Sequence, residues 1–140
     1  MALDEENCLY FQTNNLSRIL SRMADEAFRS AGLSPSHAFL LMKVNDEPGI
    51  QPSKLSDILG LTPSTITRLI EKMEYQGYLQ RISEGRATRV EPTDKCISKD
   101  SEIKEAWKLL RERYSEMLGE RYTEVLTEMS VKAIDQLESR

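Results

Sequence analysis

A chain of 140 residues with 39% hydrophobic side chains supports one domain around a modest core. Nineteen Lys and Arg against 23 Asp and Glu leave a net charge of −4, which makes the chain a poor candidate for a protein that coats polyanions without selection. The acidic start Asp4-Glu5-Glu6 is unlike a leader peptide, and no apolar run is long enough to span a membrane, so a cytoplasmic location is expected.

From about Asp4 to Ser30, apolar residues recur through Leu9, Phe11, Leu16, Ile19, Leu20, Met23, Ala27 and Phe28, which predicts a helix closed by Gly32. Ser34-Pro35 opens a second helix through Phe39, Leu40, Leu41 and Val44, ending near Pro48-Gly49. The next stretch, Pro52–Val90, is the most informative. Pro52 suits a first helical position, Leu55, Ile58 and Leu59 form an apolar stripe, and Gly60 stops the helix. Thr62-Pro63 starts another, because a hydroxyl cap precedes a proline that needs no N–H there. Ile66, Leu69, Ile70 and Met73 then repeat at the spacing of a buried face, up to Gly77.

The opposite face of this helix carries Ser64, Arg68, Glu71 and Tyr75, flanked by Thr65, Thr67 and Lys72. Small hydroxyl residues at a helix start allow close approach to a groove, and the helix N-terminus favours phosphate. Arg68 is the expected base reader, since its forked donors match guanine O6 and N7. Glu71 and Glu74 are expected away from the groove. A hairpin follows, Leu79–Ile82 and Ala87–Val90 around Ser83-Glu84-Gly85-Arg86. It clusters Arg81, Arg86 and Arg89, and arginine at a hairpin tip suits a narrow minor groove. Glu84 is placed to hold Arg86. Between Ser53 and Val90 six cations, Lys54 among them, face four anions, a local +2 that leaves −6 for the rest. The winged helix–turn–helix order implies double-stranded DNA as partner. The expected contacts are Ser53, Lys54, Thr62, Ser64, Thr65, Thr67, Arg68, Lys72, Arg81, Arg86 and Arg89.

After Pro92, Ser98 or Ser101 is expected to cap a long helix carrying Ile103, Trp107, Leu110, Tyr114, Met117 and Leu118, broken by Gly119. A last helix carries Tyr122, Val125, Leu126, Met129, Ala133, Ile134 and Leu137. The terminal helices offer more apolar surface than one small lobe uses, and a homodimer is the natural outlet. Packing, in the core or between copies, accounts for Trp107, Tyr114 and Met117 without an effector pocket.

The run from Leu33 to Val90 resembles the DNA-binding lobe of the MarR family of bacterial transcription regulators. The matching strings are Leu33-Ser34-Pro35-Ser36-His37-Ala38-Phe39-Leu40, Leu55-Ser56-Asp57-Ile58-Leu59-Gly60-Leu61, Ser64 to Glu74, and Gly77-Tyr78-Leu79. The wing is shorter than is usual there, with Glu84-Gly85-Arg86 in place of Asp-x-Arg. The resemblance implies Ser64–Arg68 in the major groove and Arg86 in the minor groove. It also implies intertwined terminal helices and a crevice for a small-molecule effector. The expected fold is mainly α with a small β-hairpin wing. A single domain, residues 1–140, would hold the winged lobe at 33–92 and dimerisation helices at 4–32 and 98–139. The expected function is a homodimeric regulator, a repressor on a palindromic operator released by a small molecule or by oxidation. A winged-helix module that binds protein instead of DNA is the alternative from another class.

His37 is the only histidine, and no Cys/His pair has metal-ligand spacing. No glycine-rich phosphate loop or nucleophile signature is present, so neither a metal, a cofactor nor an enzymatic activity is expected. Cys96 reads as a buried filler. Cys8 is the candidate redox residue, because the peroxide-sensing branch of the same family carries a reactive cysteine near the start of its first helix. Here Asp4, Glu5 and Glu6 precede it, an acidic setting that disfavours a reactive thiolate.

Overall fold

The computed structural model describes residues 3–139. Its elements are α1 (Leu9–Phe28), α2 (Pro35–Asp46), α3 (Pro52–Leu59), α4 (Pro63–Tyr75), β1 (Leu79–Glu84), β2 (Ala87–Pro92), α5 (Asp94–Leu118) and α6 (Glu120–Glu138). Single 3-10 turns lie at Glu5–Asn7 and Arg29–Ala31. The two strands form one antiparallel hairpin, so the fold is mainly α with a small wing, as the residue pattern predicts. Two compact units divide the chain, Met1–Trp107 and Lys108–Arg140.

The first unit is built around α2. Ala38, Leu40, Leu41, Met42 and Val44 are all buried, and α2 touches α1, α3, α4 and β2. A helix apolar on so many sides has to be enclosed. Leu55 from α3, Ile66, Ile70 and Met73 from α4, Leu79 and Val90 from the hairpin, and Cys96 and Ile103 from α5 complete the core. Each such aliphatic side chain contributes about 1.5–3 kcal/mol on full burial. Phe39 links Phe28 and Trp107, with ring centroids 5.4 and 5.9 Å away. The second unit comprises the end of α5, a break at Gly119 (φ 91°), and α6, which buries none of its residues. Tyr122, Met129, Val131, Ile134 and Leu137 are all exposed on α6.

Four expectations are corrected. The first helix begins at Leu9, not near Asp4, because the Asp4 carboxylate accepts the Asn7 N–H at 3.0 Å and tightens a separate 3-10 turn. Cys8 consequently occupies the cap position of α1. Ile58 is not part of a buried stripe: it is 47% exposed, and α3 buries only Leu55. Neither Ser98 nor Ser101 caps α5, which starts at Asp94 behind Thr93. The Thr93 hydroxyl accepts the Cys96 N–H at 3.3 Å and donates to the Gly77 carbonyl at 2.7 Å, so it caps α5 and fastens the turn after α4. Finally, the hairpin is longer at both ends, with a two-residue turn at Gly85-Arg86. Gly85 has φ 61° and Arg86 does not have a positive φ, the pattern of a type II′ turn, which matches strand twist.

Candidate nucleic-acid interface

Both ends of α4 are fixed by local chemistry. Gly60 (φ 64°) ends α3, and the Leu61 N–H reaches back to the Ser56 carbonyl at 3.2 Å. Thr62 then caps α4, its hydroxyl accepting the Thr65 N–H at 3.3 Å. At the far end Tyr78 N–H donates to the Met73 carbonyl at 2.9 Å and Gly77 N–H to the Glu74 carbonyl at 3.0 Å. With Ile66, Ile70 and Met73 buried, the helix cannot rotate, and Ser64, Thr67, Arg68, Glu71, Lys72 and Tyr75 are held outward.

The predicted contacts separate into groups. Arg68 and Lys72 are exposed and form no ion pair among the described residues. Arg86, at the hairpin turn, is likewise exposed and without an ion pair there. Ser64 is exposed at the start of α4, and Thr62 and Thr65 share a hydroxyl contact of 2.8 Å within the cap. Thr67 donates to the Pro63 carbonyl at 3.0 Å. Ser53 lines an open depression with Gln51 and Pro52 on one side and Arg86, Ala87 and Thr88 on the other. The start of α3 and the wing tip therefore face a common hollow.

The other three cations are engaged by acids. Lys54 lies 2.7 Å from Glu47. Arg89 lies 2.7 Å from Glu84, which therefore does not hold Arg86 as expected. Register explains this: Glu84 pairs with Ala87 and Ile82 with Arg89, so Glu84 and Arg89 are diagonal neighbours on one face while Arg86 sits in the turn. Arg81 lies 2.9 Å from Glu74 and 3.8 Å from Glu71. The hydrogen bond from Arg81 holds the Glu74 carboxyl below its ordinary pKa, with partial burial opposing. The role of Glu74 was missed in the sequence because seven positions and a turn separate it from Arg81.

His37 lies on α2, its Nδ1 against the Ser34 hydroxyl and its Nε2 buried without a hydrogen-bond partner. Burial first, and the nearby Lys72 ammonium second, hold its pKa below the usual histidine value, so it adds no charge at neutral pH. Cys96 is fully buried beside Asn45, and burial pushes its thiol up to about 11. Cys8 is half-buried and borders a shallow hollow with Leu3, Asp4, Glu5 and Phe11. Among the described residues no group of three or more His, Cys, Asp or Glu is placed to hold a metal, and no helix is long and apolar enough to cross a membrane.

Residues 33–84 match the model of the MarR family. An uncharacterized HTH-type transcriptional regulator of Bacillus subtilis, YybA, is 26% identical over 83 residues, 57% of this chain and 55% of that protein. The match thus spans about half the length of this curated relative. A MarR family regulator from Listeria monocytogenes complexed with a 26mer DNA superposes with a TM-score of 0.78 at 19% identity, covering 94% of this chain and 89% of that one. CouR from Rhodococcus jostii RHA1, bound to p-coumaroyl-CoA, superposes with a TM-score of 0.79 at 16% identity, covering 99% and 97%. At these identities the superpositions establish the fold.

Proposed function

We propose that this chain is a MarR-family, sequence-specific, DNA-binding transcription regulator that acts as a homodimer, because residues 33–84 match the model of that family. One observation carries this: α4 presents Arg68 and Lys72, and the wing presents Arg86, all exposed and without an ion pair among the described residues. Cations that cost nothing to release are available to DNA, whereas Lys54, Arg81 and Arg89 must first leave a carboxylate. Arg68 reads bases in the major groove, Ser64 and Thr67 allow close approach, and Arg86 enters the minor groove.

Dimerisation is supported by unused apolar surface. Leu9, Tyr10, Phe11 and Ile19 are exposed on α1, as are Tyr122, Met129, Ile134 and Leu137 on α6. Two-fold symmetry then matches a palindromic operator, with recognition helices about 34 Å apart. A repressor released by a small-molecule effector is the regulatory form we propose, because the superposed CouR is bound to p-coumaroyl-CoA.

The test is fluorescence anisotropy of a duplex from upstream of the protein's own gene, against a scrambled duplex, at low and high salt. Selective binding that weakens with salt is expected. Binding to neither duplex at low salt, with salt-insensitive capture of a protein partner, would favour an interaction module instead.

A further inference from the structure

We infer that Glu74 is a positioning residue that locks the wing to α4, and that Arg81 sets the wing angle instead of contacting phosphate; this rests on the DNA-binding function proposed above. The pairing of the hairpin makes the lock necessary. Arg81 lies opposite Val90. The Val90 N–H turns away from β1 and donates to the Ile50 carbonyl at 3.0 Å, while its carbonyl accepts the Gly49 N–H at 2.9 Å. Opposed residues of an antiparallel pair share one orientation, so the Arg81 N–H turns away from β2 and is a bare donor on the sheet edge. Glu74 supplies the acceptor. Its Oε2 takes the Arg81 backbone N–H at 3.0 Å, and its Oε1 takes Nη2 at 2.9 Å and Nε at 3.2 Å.

One carboxylate thus receives three charge-assisted bonds from one residue, two of them fixed in direction by the planar guanidinium. At this single rung the hairpin is tied on both outer edges, to Gly49-Ile50 before α3 and to α4. Beyond it Ile82–Ala87 is exposed. The wing tip lies four residues further on, about 13 Å at strand spacing, so a tilt of about 10° moves it about 2 Å. That displacement is enough to take Arg86 out of hydrogen-bonding range of a groove it otherwise reaches.

The lock and a plain phosphate contact predict opposite outcomes. Removing Glu74 deletes a negative charge and leaves the guanidinium only its longer 3.8 Å contact with Glu71, which tightens binding if Arg81 serves phosphate. If Glu74 is a lock, its loss blunts reading by the wing. The test uses the full chain with Glu74→Ala, Glu74→Gln, Arg81→Met and the Glu74→Ala/Arg81→Met double variant. The duplexes differ only in A·T or G·C steps beneath the wing. At unchanged thermal midpoint, Glu74→Ala is expected to lower discrimination between the flanks roughly three- to tenfold, with the double variant no worse than either single one. Glu74→Gln, which keeps an acceptor for the amide, is expected to fall between. Hydrogen exchange of the Arg81 amide without DNA is expected to accelerate in Glu74→Ala. Tighter binding with unchanged flank discrimination overturns the lock, as does a wild-type protein indifferent to the flanks. If the wild type binds no duplex selectively, the DNA-binding function fails on its own, and an Arg81 amide equally protected in Glu74→Ala still overturns the lock.

Discussion

The salt dependence of operator binding tests the charge assignment quantitatively. Six cations of the lobe are candidates, but Lys54, Arg81 and Arg89 each lie within 3 Å of a carboxylate. Arg68, Lys72 and Arg86 have no ion pair among the described residues. Bringing those three cations from each protomer of the proposed dimer into the counterion atmosphere of the DNA, whether against a base edge or a phosphate, gives a slope of log K against log salt of about −5, whereas engaging all six gives about −11. Anisotropy titrations across a fivefold range of potassium chloride distinguish these values. Methionine at Arg68, Lys72 or Arg86 is expected to flatten the slope by about 2 per dimer, and Arg81→Met to leave it unchanged. A wild-type slope near −11, or an Arg81→Met slope that flattens like the others, would refute the view that existing ion pairs withhold cations from DNA.

Three further outcomes are expected. Arg68→Ala should weaken operator binding by about 1–3 kcal/mol and relax preference at one base position, with the thermal midpoint unmoved because the side chain is exposed and unpaired; unchanged base preference across a mutated-operator panel removes it from reading. Gly85→Ala forces a residue with a Cβ to φ 61°, at a local cost of about 1–2 kcal/mol. It should impair binding through the wing more than it lowers the melting temperature, and a circular-dichroism melt beside an anisotropy titration separates the two. Cys96 holds its proton up to about pH 11 in the folded chain, against 9.0 for an ordinary thiol. Between those values the unfolded chain binds fewer protons, so stability falls as pH rises, by up to about 1.4 kcal/mol per unit, and is unaffected below. Urea unfolding of wild type and Cys96→Ser at pH 8, 9.5 and 10.5 should show that slope only in the wild type.

The order of elements was legible because local chemistry specifies it. Thr62-Pro63, Gly60, Gly77 and Gly119 punctuate helices wherever they sit, and Ile66, Ile70 and Met73 repeat at helical spacing. Boundaries went astray where a side chain competes with the backbone: Asp4 drew Asn7 into a separate turn, and Thr93 displaced Ser98 and Ser101 as the cap. Candidate contacts were legible only as residue types: Arg68 is exposed on α4 and Arg86 at the hairpin turn, and their contact with DNA is a proposal.

What the chain alone determined was therefore which face of each helix is apolar, where each helix stops, and which charged residues the lobe carries. Those properties belong to a residue and its neighbours within a turn or two. The tertiary structure decided which charges remain available. Glu74 meets Arg81 only because α4 and β1 pack side by side after the Gly77 turn, and Glu84 meets Arg89 only because the hairpin register makes them diagonal neighbours. Ion pairs of this kind depend on separations of a few ångströms between residues apart in sequence, and the Coulomb energy that holds a cation to its carboxylate is set by a distance that composition does not report.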